Sequence, residues 1–313
     1  MLSKLQENIE RVFLGKSDVV RFCLTAFLAG EHLLLEDIPG VGKTLLAKAL
    51  ARSVHGQFRR IQFTPDLLPA EISGNSVYAT GAWNGEKLEG KPFRFVPGPI
   101  FANIVLADEI NRATPRTQSA MLEAMGEHSV SCDGETHQLP RPFFVIATQN
   151  PMEYEGTFPL PESQLDRFLM RISIGYPARE WELQVLDSHR LAEPVDSLET
   201  VMTVEDVLAL QAKVHEIHVD ESISQYILDI AEETRTRDES VVGVSTRGVL
   251  SLYRAVQALA LLDGRDYVIP DDVKELAVCT LAHRVILKNS LRRSTRTQNE
   301  AFIASVLDSV TAP

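Results

Sequence analysis

The chain has 313 residues, 44% of them hydrophobic and 24% charged, which excludes a disordered chain and supplies core material for one large or two ordinary domains. Asp plus Glu number 43 against 31 Lys plus Arg, a formal net charge of −12, so nucleic acid and anionic lipid are poor default partners. In chain order, Leu2, Leu5, Ile9, Val12 and Phe13 fall at helical spacing, and Asp18 is placed to cap a second helix reaching about Ala29. His32–Leu35 is a short apolar run that stops at Glu36-Asp37-Ile38-Pro39-Gly40, as a buried strand entering a loop does. Helical spacing returns over Thr44–Ser53. Arg60–Phe63 predicts a short strand, Asn103–Ala107 a strand closed by acids, Thr114–Met125 a helix and Phe143–Thr148 a further strand. Pro161–Phe168 predicts a short helix and Met170–Ile174 a strand.

Short apolar strands alternating with helices predict a parallel α/β sheet covered on both faces. After Tyr176-Pro177 the pattern yields helices alone: Glu180–Leu191, Val204–Val214, Asp220–Thr236, Thr246–Leu262 and Pro270–Leu287. A boundary near 176–179 divides a core domain, 1–177, from a helical domain, 178–313. Arg284, Lys288, Arg292, Arg293 and Arg296 read as a solvated helix face. The three cysteines, Cys23, Cys132 and Cys279, form neither metal-ligand spacing nor a disulfide framework, which fits a reducing compartment. The N-terminus is charged throughout and no uncharged run approaches the ~20 residues of a membrane span, so the expectation is a cytoplasmic protein without membrane insertion.

The informative stretch is Glu36-Asp37-Ile38-Pro39-Gly40-Val41-Gly42-Lys43-Thr44, between a strand and a helix. Gly40 and Gly42 let the backbone curl so that several N–H groups face one point, and the helix adds its positive end. Lys43 supplies a mobile charge for β- and γ-phosphates, and the Thr44 hydroxyl is placed to ligate Mg²⁺. Asp37 stands where G-x-x-x-x-G-K-[ST] has its first glycine. Ile104–Ala107 then ends in Asp108-Glu109: one carboxylate for the Mg²⁺ shell, partly through water, and one to polarise the attacking water. Phe143–Thr148 leads into Gln149-Asn150-Pro151, whose amide at a strand end either approaches the γ-phosphate or makes a turn before proline. Arg167, in Leu165-Asp166-Arg167-Phe168, either pairs locally with Asp166 or projects to a neighbouring subunit's nucleotide. Arg247, in Gly243-Val244-Ser245-Thr246-Arg247, either folds back onto the phosphates or is a surface residue at a capped helix start.

With these elements in this order the chain resembles an AAA+ ATPase of the MoxR family over about residues 5–287. The resemblance is carried by Leu35–Thr44, Pro97-Gly98-Pro99-Ile100-Phe101, Asp108-Glu109-Ile110-Asn111-Arg112-Ala113, Thr117–Met125, Ala147-Thr148-Gln149-Asn150-Pro151 and Leu165–Met170. It implies a P-loop α/β core with a helix-2 insert and a β-hairpin before sensor 1, followed by an all-helical lid. It implies ATP/ADP and Mg²⁺ as cofactors, with Pro39, Gly40, Val41, Gly42, Lys43, Thr44 and Leu45 around the nucleotide and Val12 to Lys16 near the adenine. It further implies Asn150 as sensor 1, Arg167 as an arginine finger acting in trans with Arg171 as the alternative, and Arg247 as sensor 2 acting in cis. The insertions fall at Gly74–Pro97 and Glu127–Pro142; for the second, Asp133-Gly134 between Ser129–Ser131 and Thr136–Leu139 is itself a hairpin turn signal.

The function so implied is ATP hydrolysis by a ring, expected to be hexameric, that remodels or matures a client protein. The resemblance further implies a client machinery that in this family often includes a protein with a von Willebrand factor A domain, implicated in complex assembly or metal insertion. Two alternatives stand beside it: a nucleic-acid motor, and a slow ATP-dependent switch. Against the first, the hairpin tip Cys132-Asp133-Gly134-Glu135-Thr136-His137 carries two acids and no Lys or Arg. Against the second, a pure binding module has no need of Glu109.

Overall fold

Five short strands, three of them apolar runs, pair side by side to build the centre of the molecule. In a computed structural model, which describes residues 1–78, 82–83, 86–87, 93–150, 156–188, 193–288 and 296–313, they are β1 (Leu33–Glu36), β2 (Phe58–Gln62), β3 (Ile104–Asp108), β4 (Phe144–Gln149) and β5 (Met170–Ile172). They form one parallel sheet in the order β5-β1-β4-β3-β2, with Leu33 opposite both Ile146 and Met170 and Ile104 opposite both Phe144 and Phe58. Because side chains alternate along a strand, Leu33, Leu35, Ile104, Leu106, Phe144 and Ile146 face one apolar cluster, while Leu34, Val105, Ala107, Val145 and Ala147 face another.

The first cluster is covered by α1 (Leu2–Glu10), α2 (Ser17–Leu28) and α3 (Lys43–Ser53). The second is covered by α4 (Pro69–Ser73) and α5 (Pro115–Glu127). Asp18 does not cap α2: Lys16 is the N-cap residue and Asp18 lies within the first turn, where its charge faces the helix dipole. After α6 (Glu162–Leu165) and β5 come α7 (Arg179–Ser188), α8 (Val204–Val214), α9 (Glu221–Thr236), α10 (Thr246–Leu262), α11 (Pro270–Leu281) and α12 (Arg296–Ser309). Buried residues of α8 to α12 belong to the first cluster, so the lid shares one continuous core with α1 to α3. Polar ties reinforce the contact: Arg21 pairs with Asp263 and with Glu275 at 2.9 Å, and Gln211 Nε2 donates to the Phe27 carbonyl at 2.7 Å.

The lid departs from the predicted all-helical pattern. Ser240–Val242 pairs antiparallel with Ile286–Leu287, and the helix predicted to Leu287 ends at Leu281. Nor is Arg284 on a solvated face. It is buried, donating to the carbonyls of Thr280 at 2.9 Å and Phe168 at 2.7 Å and pairing with Asp166. Arg296 lies 3.6 Å from Glu36 and 2.5 Å from Glu300, while Arg292 and Arg293 lie outside the described residues.

The two insertions meet. Gly74–Tyr78 pairs with Phe93–Pro97, and Ser129–Cys132 pairs with Glu135–Gln138 through the expected Asp133-Gly134 turn, both residues at positive φ. The His137 ring stacks on Phe95 with centroids 3.8 Å apart. The middle of the first insertion, including residues 79–81 and 88–92, lies outside the described residues. No helix among the described residues is long and apolar enough to cross a membrane.

Candidate active site

The loop between β1 and α3 lies at the C-terminal edge of the sheet, where open parallel sheets place their ligands. Gly40 and Gly42 hold φ of +86° and +92°, and Gly42 is the residue from which α3 springs. The first N–H groups of α3, at Lys43 and Thr44, therefore have no intrahelical partner and are available to an anion. A Cβ at Gly42 would stand 3.2 Å from the Phe13 ring, so space as well as φ calls for glycine.

A cavity of about 740 Å³ opens beside this loop. Gly40, Val41, Gly42, Thr44 and Leu45 form one wall, and Val12, Phe13, Leu14 and Lys16 form a second. Residues 174–177 with Val185 and Leu186 of α7 form the third. These mostly apolar side chains suit a purine base, with phosphates extending toward the loop. Pro39 is exposed at the turn of the loop. Lys43 Nζ donates to the Asp37 carbonyl at 2.7 Å. Burial pushes the Lys43 pKa down, and the nearby charges of Asp37, Asp108 and Glu109 act against that shift.

Asp108 and Glu109 are held apart by a turn and together by one hydroxyl. Glu109 adopts the left-handed conformation, φ +58°, which breaks the pleat immediately after Asp108. Thr148 Oγ1 donates to Asp108 Oδ1 at 2.6 Å and accepts from the Glu109 N–H at 2.8 Å. Asp108 Oδ2 accepts from Arg60 at 2.6 and 3.1 Å, and Glu109 Oε2 accepts from Gln62 Nε2 at 2.7 Å and lies 3.2 Å from Arg112 Nε. Sequence reasoning missed Thr148, Arg60 and Gln62. Their signal is faint: Arg60 and Gln62 share one face of β2, and Thr148 precedes the Gln149-Asn150 amides by one and two residues. Asn150 itself is buried just past the end of β4, beside the same edge of the sheet, while the Pro151 that follows it lies outside the described residues.

Arg167 and Arg247 lie elsewhere. Both line a cavity of about 350 Å³ with His32, Gly126 and Arg254. His32 precedes β1 and accepts the Leu169 N–H on its carbonyl at 2.8 Å, so this cavity marks the N-terminal edge of the sheet. Arg167 Nη1 donates to the Leu122 carbonyl at 2.8 Å, and Arg247 is exposed, 3.7 Å from Asp166. The strand β1 and its flanks separate this edge from the phosphate loop by roughly 16 Å, at about 3.3 Å per residue. The expectation that Arg247 folds over its own phosphates is therefore not the arrangement adopted: the lid docks on α2 and carries Arg247 to the opposite edge. Arg171, the alternative finger, is 10% exposed and lies 3.9 Å from Glu36, whereas Arg167 lines the cavity at the sheet edge.

Among the described residues, no group of three or more His, Cys, Asp or Glu side chains could hold a metal. Mg²⁺ needs no such cage, since one carboxylate, a hydroxyl, phosphate oxygens and water satisfy it. The hard oxygens of Asp108 and Thr44 at one sheet edge fit that requirement.

Residues 32–170 match the ATPase family associated with various cellular activities (AAA), and residues 232–305 match the AAA lid domain. The chain is 40% identical over 289 residues to Chaperone MoxR1 of Mycobacterium tuberculosis, covering 90% of this chain and 74% of that protein. The chain belongs to the MoxR family of AAA+ ATPases. It is also 50% identical over its whole length to the uncharacterized protein YeaC of Bacillus subtilis, covering 95% of that protein. The crystal structure of a candidate ATPase from Cytophaga hutchinsonii superposes with a TM-score of 0.88 at 34% identity, covering 99% of this chain and 94% of that one. As a MoxR-family ATPase the chain binds and hydrolyses ATP, on a P-loop α/β core followed by a lid.

Proposed function

We propose that ATP is hydrolysed in a composite site, one protomer supplying the phosphate loop and carboxylates and its neighbour supplying Arg167 and Arg247. The observation that carries this reading is the separation of the two groups onto opposite edges of one sheet. A head-to-tail ring brings the N-terminal edge of one protomer to the C-terminal edge of the next, and hexameric closure is the form we infer. The base lies in the 740 Å³ cavity and the phosphates meet the N–H groups of residues 40–45. Lys43 leaves the Asp37 carbonyl for the β- and γ-phosphates. Thr44 and Asp108 are the residues that would hold Mg²⁺, and a bound Mg²⁺ would supply charge neutralisation for the phosphates. Glu109 turns from Gln62 and Arg112 to accept the proton of the attacking water, and Asn150 orients that water. The hinge at Tyr176-Pro177, between a core of 1–177 and a lid of 178–313, then moves the lid.

That motion serves a chaperone-like role, remodelling or maturing a partner protein complex, with a von Willebrand factor A domain protein as the candidate adaptor. The chaperone designation of the Mycobacterium tuberculosis relative supports this role. So do the exposed Tyr78 and Phe93, packed edge to face on the insertion, which offer apolar contact to a client. The exposed acids Asp133 and Glu135 at the hairpin tip disfavour a DNA-tracking role. Multiple-turnover phosphate release tests the site. Lys43→Ala should abolish ATP binding and turnover, while Glu109→Gln should keep binding and slow turnover by about a hundredfold or more. Undiminished turnover in either variant would remove that residue from its role.

A further inference from the structure

Asp37 occupies the place of the first phosphate-loop glycine, and its side chain is buried. A buried carboxylate persists only where donors satisfy it. Here Oδ1 accepts the Ile38 N–H at 2.8 Å. Oδ2 accepts the Ser173 hydroxyl at 3.1 Å, the Ile174 N–H at 2.6 Å and the Gly175 N–H at 2.7 Å. Three of these four donors belong to the segment that leaves β5 for Tyr176-Pro177. That segment is a wall of the nucleotide cavity, and α7 follows it. The carbonyl of the same Asp37 accepts the Lys43 ammonium at 2.7 Å. One residue thus holds the phosphate-reading lysine by its backbone and the lid-bearing segment by its side chain. A glycine could do only the first.

We propose that Asp37 is a positioning residue that links the phosphate loop to the hinge segment 173–177, so that transfer of Lys43 from the Asp37 carbonyl to a phosphate is felt at the start of the lid. This rests on the reading of the loop as the ATP site. The physical path is short. Loss of the lysine contact frees the Asp37–Ile38 peptide, whose N–H is tied to the same carboxylate, and Oδ2 carries any shift to the backbone of Ile174 and Gly175. The molecule holds a reporter of the outcome. The Trp181 ring on α7 lies so close over Gly15 that a Cβ there would come within 2.4 Å of it, beside the nucleotide cavity.

The test uses the full chain carrying Trp83→Phe, which leaves Trp181 as the single tryptophan. Asp37→Asn keeps the volume and removes the charge. Asp37→Gly restores the common phosphate-loop pattern, and Ser173→Ala removes one donor. ATP affinity is measured with a ribose-labelled fluorescent analogue, and Trp181 emission is followed with ATP. The parent should bind ATP with a change in Trp181 emission. Both Asp37 variants should bind about tenfold more weakly, with KM affected more than kcat, and should largely lose the emission change even at saturating ATP. Ser173→Ala should lose part of it and decides the matter if neither Asp37 variant folds. A merely structural role would lower the melting temperature without altering the amplitude at saturation. Retention of the parent's full amplitude in the folded variants overturns the proposal, as does a parent that binds ATP with no change at Trp181. A parent that binds no ATP instead overturns the reading of the site.

Discussion

The Thr148 hydroxyl sets where both carboxylates of the site stand, since it donates to Asp108 and accepts from the backbone of Glu109. Thr148→Val removes it at nearly constant volume and strands the Glu109 N–H. Turnover should fall about 10- to 100-fold, as for other groups that orient metal-binding carboxylates, while ATP affinity changes little. Single-turnover hydrolysis beside a binding titration checks this; equal loss in both would assign Thr148 to the fold alone. The contrast with Lys43, Thr44, Asp108 and Glu109 explains what a sequence reveals. Those four sit in contiguous motifs, where residue type and spacing carry the chemistry. Thr148 meets its partners 40 and 39 residues away, and Asp37 meets Ile174 137 residues away, which no local pattern encodes.

At the scale of elements, β1 is anchored at its start by His32, which ties it to β4 and α5. Its Nδ1 accepts the Val145 N–H at 3.1 Å and its Nε2 lies 3.2 Å from the Met125 carbonyl, so the neutral ring carries its proton on Nε2. Burial pushes its pKa down to about 4. The unfolded chain takes up this proton near pH 6.5, before the folded one does, so stability is complete above 6.5 and is lost as pH falls toward 4. The loss amounts to about 3 kcal/mol for full protonation of such a site. The urea midpoint should fall over that window, and His32→Gln, whose amide can both accept and donate, should flatten the fall. An unchanged slope would move its source to other groups, the buried His283 first, whose pKa is also lowered by burial. Three of the sheet strands, β1, β3 and β4, were legible because each is a short apolar run bounded by polar residues, whereas β2 and β5 alternate apolar residues with Arg60 and Arg171 and gave shorter signals. The Ser240–Val242 and Ile286–Leu287 pair was not, since two or three residues carry no usable period. Arg284 misled for a related reason: periodicity sees a charge and expects water, whereas three backbone carbonyls and Asp166 surround it.

For the whole molecule, the decisive feature is the docking of the lid on α1 to α3, which places Arg247 beside Arg167 at the edge remote from the phosphate loop. Resemblance transfers a residue's role but not the orientation of the domain that bears it, and in this chain the lid holds Arg247 at the edge away from its own phosphate loop. Mixed rings test the composite site directly, through ATPase activity as inactive variants are combined. Lys43→Ala mixed with either Arg167→Ala or Arg247→Ala should recover activity, up to about one site in four at equal random mixing, because an intact loop can then face an intact arginine pair. Arg167→Ala mixed with Arg247→Ala should recover none, since every interface lacks one arginine of the pair. Recovery in that last mixture would show Arg247 acting on its own protomer's nucleotide and contradict the account.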